Sequence, residues 1–346
     1  MFEDRKKRTE LSELGEFGLI NILTKNIVIK NSSTVKGVGD DAAVINYKGK
    51  KTLLSTDLLV EGVHFDLSYY PLKHLGYKAA IVNFSDILAM NAFPKQITAS
   101  IALSNRFSLE AVEEVYAGIL LACDNYKVDL VGGDTTSSNL GLIISISVLG
   151  DAPARDIVFR STAGEGDLLC VSGDLGAAYM GLLLLAREKE VYKSDPTMRP
   201  DLDGHDYVLE RQLKPEARAD IIRLLNDLQI KPTSMIDISD GLASDVLHIC
   251  TDSKLGCKIY EEKIPIDPAT VSTSKDFKIS PTTAAMNGGE DYELLFTIKK
   301  TDYEKIKDNP ALSVIGHMTE ESSGVNLISA SGTMIPVTAQ GWDGLR

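Results

Sequence analysis

Residues 72–134 read LKHLGYKAAIVNFSDILAMNAFPKQITASIALSNRFSLEAVEEVYAGILLACDNYKVDLVGGD. Leu72 to Ala92 is a largely apolar run of helical length, and Gln96–Leu103 alternates as a half-buried strand does. Leu109 to Tyr126 reads as a second helix. Val128–Val131 reads as a strand that runs into Gly132-Gly133-Asp134. Strands mixed with long helices in this way predict an α/β or α+β fold.

Working outward, residues 1–12 read as a solvated tail and Glu13–Thr24 as a short amphipathic helix. Ala42–Tyr47, Lys51–Thr56 and Val60–Phe65 read as short strands, and so does Leu142–Leu149. Near residue 150 the character changes. Asp151-Ala-Pro-Ala-Arg155 and Ser161-Thr-Ala-Gly-Glu-Gly-Asp167 are turn-rich. Two domains are therefore expected, residues 1–150 and 151–346, each α/β. The second half offers a strand at Leu168–Ser172, a helix at Ala177–Arg187 and a polar loop over 193–204. A further helix starts after Pro215, a suitable first-turn residue. A strand then ends at Asp237, and a helix follows from Gly241.

The chain has 346 residues, which agrees with two domains. Its 44% hydrophobic and 25% charged content is that of a soluble globular protein. A formal net charge of -13 argues against non-specific nucleic-acid binding, which needs a basic patch. Cys123, Cys170, Cys250 and Cys257 form no CxxC pair and lie in or beside apolar stretches, so buried free thiols are expected. The charged N-terminus lacks the apolar core of a signal peptide. No apolar run reaches the ~18 residues of a membrane span. A cytoplasmic location and no membrane partner are expected.

Six acidic sites carry the chemistry: Gly39-Asp40-Asp41, Ser55-Thr56-Asp57, Asp86, Gly132-Gly133-Asp134, Asp237-Ile238-Ser239-Asp240-Gly241 and Gly288-Gly289-Glu290-Asp291. Carboxylates brought together resist ionising in a partly buried site. A hard cation reverses that by supplying positive charge. Oxygen ligands with few His or Cys suit magnesium, which binds through a few carboxylates plus substrate phosphates. The first reading is a magnesium site that handles a polyphosphate.

Each site has a plainer alternative. Asp86 stands on an apolar helix face beside Val82, Ala89 and Met90, where a ligand role explains the charge better than a surface position does. Asp240 could simply cap the helix that follows. Asp237 has no such role, and a helix N-terminus also attracts phosphate. Gly132-Gly133 lets backbone approach a ligand closely, or makes an ordinary loop. Gly288–Asp291 is a turn on the plain reading. Ser55-Thr56-Asp57 offers three adjacent oxygen side chains at a strand end. His64 is a candidate for binding a phosphate or an aromatic group, or else a satisfied imidazole. Gly37-Val-Gly-Asp-Asp-Ala42 matches a dinucleotide fingerprint, but β-leaning residues follow where a helix should open, and two aspartates would repel a pyrophosphate. Neither a P-loop nor a G-x-S-x-G elbow occurs.

In order and spacing, these segments resemble the thiamine-monophosphate kinase family. The resemblance runs from Gly15-Glu16-Phe17 to Trp342. It is carried by Val38-Gly39-Asp40-Asp41-Ala42, Ser55–Phe65, Gly76-Tyr77-Lys78-Ala79, Asn83-Phe84-Ser85-Asp86, Gly132-Gly133-Asp134-Thr135-Thr136, Asp237–Leu242 and Gly288–Leu294. The family's superfamily is similar to aminoimidazole ribonucleotide synthetase, selenophosphate synthetase and a hydrogenase-maturation protein. No Cys stands near the N-terminus, as in selenophosphate synthetases, and the chain does not end in Cys, as the hydrogenase-maturation relative does.

The resemblance implies a two-domain aminoimidazole ribonucleotide synthetase-like fold whose N-terminal sheet pairs across a homodimer. It implies several magnesium ions held by Asp41, Ser55, Thr56, Asp57, Asp86, Asp134, Asp237 and Asp240, some through backbone. ATP would meet Gly133, Asp134, Arg160 and Ser239, with Tyr116 as a further contact. Thiamine monophosphate would meet His64, Glu290 and Trp342. Ser137-Ser138 and the proline-free 161–167 stretch depart from the family pattern around ATP.

The implied reaction converts thiamine monophosphate and ATP to thiamine diphosphate and ADP, the last step in making that cofactor, by direct in-line transfer. Phosphoryl transfer needs alignment and charge neutralisation more than covalent chemistry. The acceptor phosphate, with a second pKa of about 6, is mostly ionised near neutrality. A general base is then unnecessary, which suits a site rich in Asp and poor in His. One rival is a synthetase that activates a carbonyl oxygen with the same ATP apparatus. Another is an acidic calcium scaffold, although no EF-hand loop is present.

Overall fold

The computed structural model describes residues 19, 22–36 and 44–339. Asp41 and Trp342, two of the expected site residues, and most of the Glu13–Thr24 helix lie outside them. The chain divides into two compact units. One runs to Ile87 and resumes over Phe93–Asp151; the other takes Leu88–Ala92 and everything from Ala152 onward.

The first unit opens with a two-stranded ribbon, β1 (Thr34–Lys36) against β2 (Val44–Ile45). Then come β3 (Lys51–Val60), α1 (Leu72–Ala89), β4 (Phe93–Leu103), α2 (Leu109–Tyr126), β5 (Asp129–Ser137) and β6 (Ile143–Ala152). The last four strands form one sheet in the order β3-β6-β4-β5. β4 pairs parallel with β5 and antiparallel with β6.

α1 is buried on nearly every side, with Leu75, Ala79, Ala80, Ile81, Phe84 and Leu88 all at 0% exposure, as befits a helix that is apolar all round. It meets α2 through a reciprocal glycine contact. A Cβ on Gly76 would stand 1.9 Å from the Val115 carbonyl oxygen, and one on Gly118 would stand 1.9 Å from that of Lys73. Ser108 caps α2, its hydroxyl accepting the Ala111 N–H.

The strands around the acidic sites depart from the sequence reading. Lys51–Thr56 and Val60–Phe65 are not two strands: β3 runs unbroken to Val60, and the chain then turns at Glu61-Gly62, with Gly62 at φ 81°. The Val60 carbonyl accepts the N–H groups of Val63 and His64, which closes that turn. Likewise β5 does not stop at Val131. It continues through Gly132-Gly133-Asp134, because parallel pairing with β4 persists as far as Ser137.

The second unit is built on a seven-stranded sheet in the order β13-β12-β9-β11-β7-β10-β8. Its strands are β7 (Leu168–Ser172), β8 (Ser234–Asp237), β9 (Leu255–Tyr260), β10 (Leu294–Ile298), β11 (Leu312–Glu320), β12 (Val325–Ile328) and β13 (Met334–Pro336). Neighbours are antiparallel except β12 and β9. The helices are α3 (Ala177–Ser194), α4 (Asp206–Leu213), α5 (Ala219–Asp227), α6 (Leu242–Ser253), α7 (Pro268–Asp276), α8 (Pro281–Asn287) and the short α9 (Tyr303–Ile306). Leu169, Val171, Ile236, Val246, Ile259 and Leu295 belong to the main core. Met180, Leu184, Val208 and Ala284 form a second cluster among the helices. α3 outruns its expected end at Arg187, α5 begins four residues after Pro215, and α4 has no counterpart in the sequence reading.

All four cysteines are free and buried, as expected. Burial pushes the Cys123 thiol up to about 12 and holds that of Cys170 well above the usual range. No helix among the described residues is long and apolar enough to cross a membrane.

The glycine contact makes a direct test. Gly118→Ala forces a methyl group against the Lys73 carbonyl, so α1 and α2 must part. The expected loss is ~1–3 kcal/mol, the usual cost of overpacking, read as a lower urea midpoint at unchanged slope.

Candidate functional site

In the first unit, strand parity decides which acidic-site residues meet. Side chains alternate along β3, so Ser55 and Asp57 share one face and Thr56 takes the other. The Ser55 hydroxyl donates to Asp86 Oδ2 on α1 at 2.5 Å. Asn83, one helical turn before Asp86 and fully buried, accepts the Asp57 N–H at 3.1 Å and donates to the Ala79 carbonyl. β3 is thereby pinned to α1 with two carboxylates side by side. Burial, and after it the charge of Asp86, raises the Asp57 pKa from 3.8 to about 6. Thr56 donates instead to the Ile146 carbonyl and accepts from Ser147.

Other expected residues of this unit have local partners of their own. Asp134 is exposed on β5 and accepts its neighbour's N–H, that of Thr135, at 2.9 Å. The Tyr116 hydroxyl, on buried α2, hydrogen-bonds Thr135. Gly133 also has a packing role. A Cβ there would lie 2.0 Å from the Ala99 carbonyl oxygen, so strand pairing alone demands the glycine. His64 is exposed, and its Nδ1 accepts the Val60 N–H at 3.0 Å. That bond leaves the proton on Nε2.

In the second unit two loops are bonded together. β8 ends on Asp237 and the turn after it carries Ser239 and Asp240; the loop before β10 carries Glu290 and Asp291. Glu290 N–H donates to the Ser239 carbonyl at 2.7 Å, and Tyr292 N–H to that of Ile238 at 2.9 Å. Gly289 permits this, since its φ is 71° and a Cβ would sit 2.6 Å from the Ser239 carbonyl oxygen. Asp240 does not cap α6, as the plain reading had it; Gly241 holds the N-cap position. The Asp240 N–H instead donates to Asp245, a buried carboxylate in the first turn of α6. Burial, then the charges of Asp237 and Asp240, pushes Asp245 up to about 8. Burial also raises Asp240 itself. Arg160 is exposed, and its carbonyl accepts from Ser234, at the opposite end of β8 from Asp237.

Residues 39–152 match the model of the AIR synthase related protein, N-terminal domain. Thiamine-monophosphate kinase of Aquifex aeolicus (strain VF5) is 37% identical over 315 residues, 91% of this chain and 94% of that protein. The Bacillus subtilis (strain 168) thiamine-monophosphate kinase is 31% identical over 336 residues, 95% of this chain and 99% of its own length. The chain belongs to the thiamine-monophosphate kinase family. Among solved structures, AaThiL complexed with AMPPCP and TMP superposes with a TM-score of 0.74 at 34% identity, covering 96% of this chain and 98% of that one.

Within this family member, no three His, Cys, Asp or Glu side chains among the described residues converge closely enough to hold a metal ion by themselves. The donors nevertheless fit magnesium. That ion is bound through one or two carboxylates plus phosphate oxygens and water. Asp57 and Asp86 with the Ser55 hydroxyl are such a partial set, and the raised Asp57 marks a place where a cation would relieve repulsion.

Sequence reading missed Asn83 and Asp245. Asn83 lies in the quoted Asn83-Phe84-Ser85-Asp86 run, and an amide on the apolar face of α1 was its signal. Asp245 follows Asp240 by five residues, and an acid so near the start of an apolar helix was the available cue.

The sign of the Asp57 shift sets a pH dependence. Its folded pKa of about 6 lies above the ordinary carboxylate value of 3.8, so the folded state holds this proton more tightly. On this group's account, stability is greatest below about 4 and falls as pH rises through 6. Metal-free Asp57→Asn should be more stable than the parent at pH 8, by on the order of 2–3 kcal/mol. Thermal melts in chelator should show that gap closing towards pH 4; a constant gap would contradict the pairing.

Proposed function

We propose that this chain transfers the γ-phosphoryl group of ATP to thiamine monophosphate, giving thiamine diphosphate and ADP. The observation that carries the reading is the Ser55–Asp57–Asp86 constellation, set in a chain of this family and like the AaThiL complex along nearly its whole length. Asp57 and Asp86 would hold magnesium in the first unit, with Asp134 as a further ligand there. Asp237 and Asp240 would do so in the second. Bound magnesium supplies the positive charge that lets two anionic phosphates approach.

The chain's own groups bind and orient. The outward Nε2–H of His64 can donate to a phosphate oxygen. Glu290 offers a negative charge to the cationic thiazolium ring. Tyr116 and Arg160 can contact the nucleotide. The acceptor is already ionised, so no residue needs to remove a proton, and transfer is direct. The net charge of -13 speaks against non-specific nucleic-acid binding, and four free, buried thiols suit a reducing compartment.

A homodimer fits the first unit. Among the described residues β3 is an edge strand, and Leu54 and Leu58, on one face of it, are 70% and 53% exposed. An apolar edge left open invites aggregation, and a second copy would cover it. The native chain is expected to sediment as a dimer and Leu54→Glu as a monomer.

The decisive assay is ADP release with ATP, magnesium and thiamine monophosphate, with the product weighed by mass spectrometry. A product one phosphate heavier, dependent on metal and acceptor, is expected. Asp86→Asn should fold yet lose at least about a hundredfold in turnover, the scale seen when electrostatic stabilisation is removed. ADP release independent of the acceptor would overturn the assignment.

A further inference from the structure

We propose that Gln212 is a positioning residue for substrate recognition, acting through Glu290. The inference rests on the reading of Glu290 as the group that meets the cationic ring. Gln212 lies near the end of α4 and is only 2% exposed. A buried amide is costly unless it is hydrogen-bonded. Its Nε2 donates to Glu290 Oε2 at 2.9 Å. A carboxylate only accepts, so the amide must present its NH2 group, and the bond fixes which way both side chains face.

The preceding residue grips the same loop. Arg211 Nη2 donates to the carbonyls of Asp291 at 3.3 Å and Asp174 at 3.1 Å, and Nη1 pairs with Glu293 at 3.0 Å. Arg218 reaches Glu293 as well, and Ser172 donates to it at 2.5 Å. Asp291, wholly buried, accepts the Gly176 N–H at 2.8 Å. Consecutive α4 residues thus hold the Glu290 side chain and the backbone just after it.

That backbone needs holding. Glu290 and Tyr292 both have left-handed φ, 59° and 53°. Such residues persist only where their surroundings over-determine them. α4 is itself set firmly: a Cβ on Gly181 of α3 would stand 2.1 Å from the Val208 carbonyl oxygen and 2.9 Å from Gln212 Cβ. The two helices therefore touch at backbone distance beneath the glutamine. The arrangement delivers one carboxylate, in one orientation, at the loop that is bonded to Ser239.

The test is a double-mutant cycle in the full-length enzyme, reading KM for thiamine monophosphate, KM for ATP and kcat. Gln212→Met keeps the side chain's volume and removes the donor. It should raise the KM for thiamine monophosphate about tenfold, the scale of a hydrogen bond to a charged group. KM for ATP and kcat should stay within about twofold. Glu290→Gln should raise the same KM, and the double variant should add nothing further. A melting curve for each variant separates this from unfolding, and the cycle repeated with Gln212→Asn, whose shorter arm cannot span the gap, replaces any variant that fails to fold. Additive KM effects, or equal changes in both KM values, would overturn the role of Gln212. A Glu290→Gln enzyme with unchanged KM would instead overturn the reading of Glu290, and the inference with it.

Discussion

Like charges held partly out of water set the terms for this chain. Asp57 and Asp86 face each other across the β3–α1 junction, and Asp237, Asp240 and Asp245 crowd the start of α6. A carboxylate in that position ionises reluctantly, and its repulsion opposes folding unless something cationic or proton-donating compensates. The surrounding structure is arranged to make the crowding bearable. α1 is locked in place by apolar contacts and by the Gly76–Gly118 approach, and Asn83 spans helix and strand where a mobile junction would let the acids separate. In the bare chain that crowding is a cost which a proton or a cation would relieve.

The second unit solves a related problem with fixed cations. Arg211 and Arg218 converge on Glu293, which is almost completely buried, and the network reaches Asp174 and Asp291. Burial pushes Asp291 up to about 7 even with Arg211 beside it. Buried ion networks of this kind are weak sources of stability, because desolvation offsets most of the attraction. They do fix geometry. Here they define the path of a loop whose backbone would otherwise relax out of two left-handed positions. The acids behind Glu290 thus carry their counter-charges within the fold.

Much of this was legible in the sequence, and the failures have distinct physical causes. Apolar runs located α1, α2, β7 and the end of β8, because burial pattern alone determines them. Turn-like glycines misled. Gly132-Gly133 stands inside a parallel strand, where the Ala99 carbonyl leaves no room for a side chain at Gly133, and no local signal distinguishes that from a loop. Thr56 sits between two site residues in sequence and on the opposite face in space, which only strand continuity through Asp57 reveals. α4 is short and half polar, so its periodicity is faint, and its importance comes from partners about 80 residues away in sequence. The acids were visible as motifs; the amides that orient them, Asn83 and Gln212, were not, because a lone amide in a helix carries no periodic signature.

The four thiols have a practical consequence. Each is shut away from solvent, and burial holds Cys123 and Cys170 as neutral SH groups at any ordinary pH. Alkylating reagents attack the thiolate, so these sulfurs are poor targets while the fold is intact. A single cysteine introduced at an exposed position would then be the preferred point of attachment for a dye or spin label, with the native cysteines left in place. A pair of such cysteines, one in each unit, would serve for distance measurements.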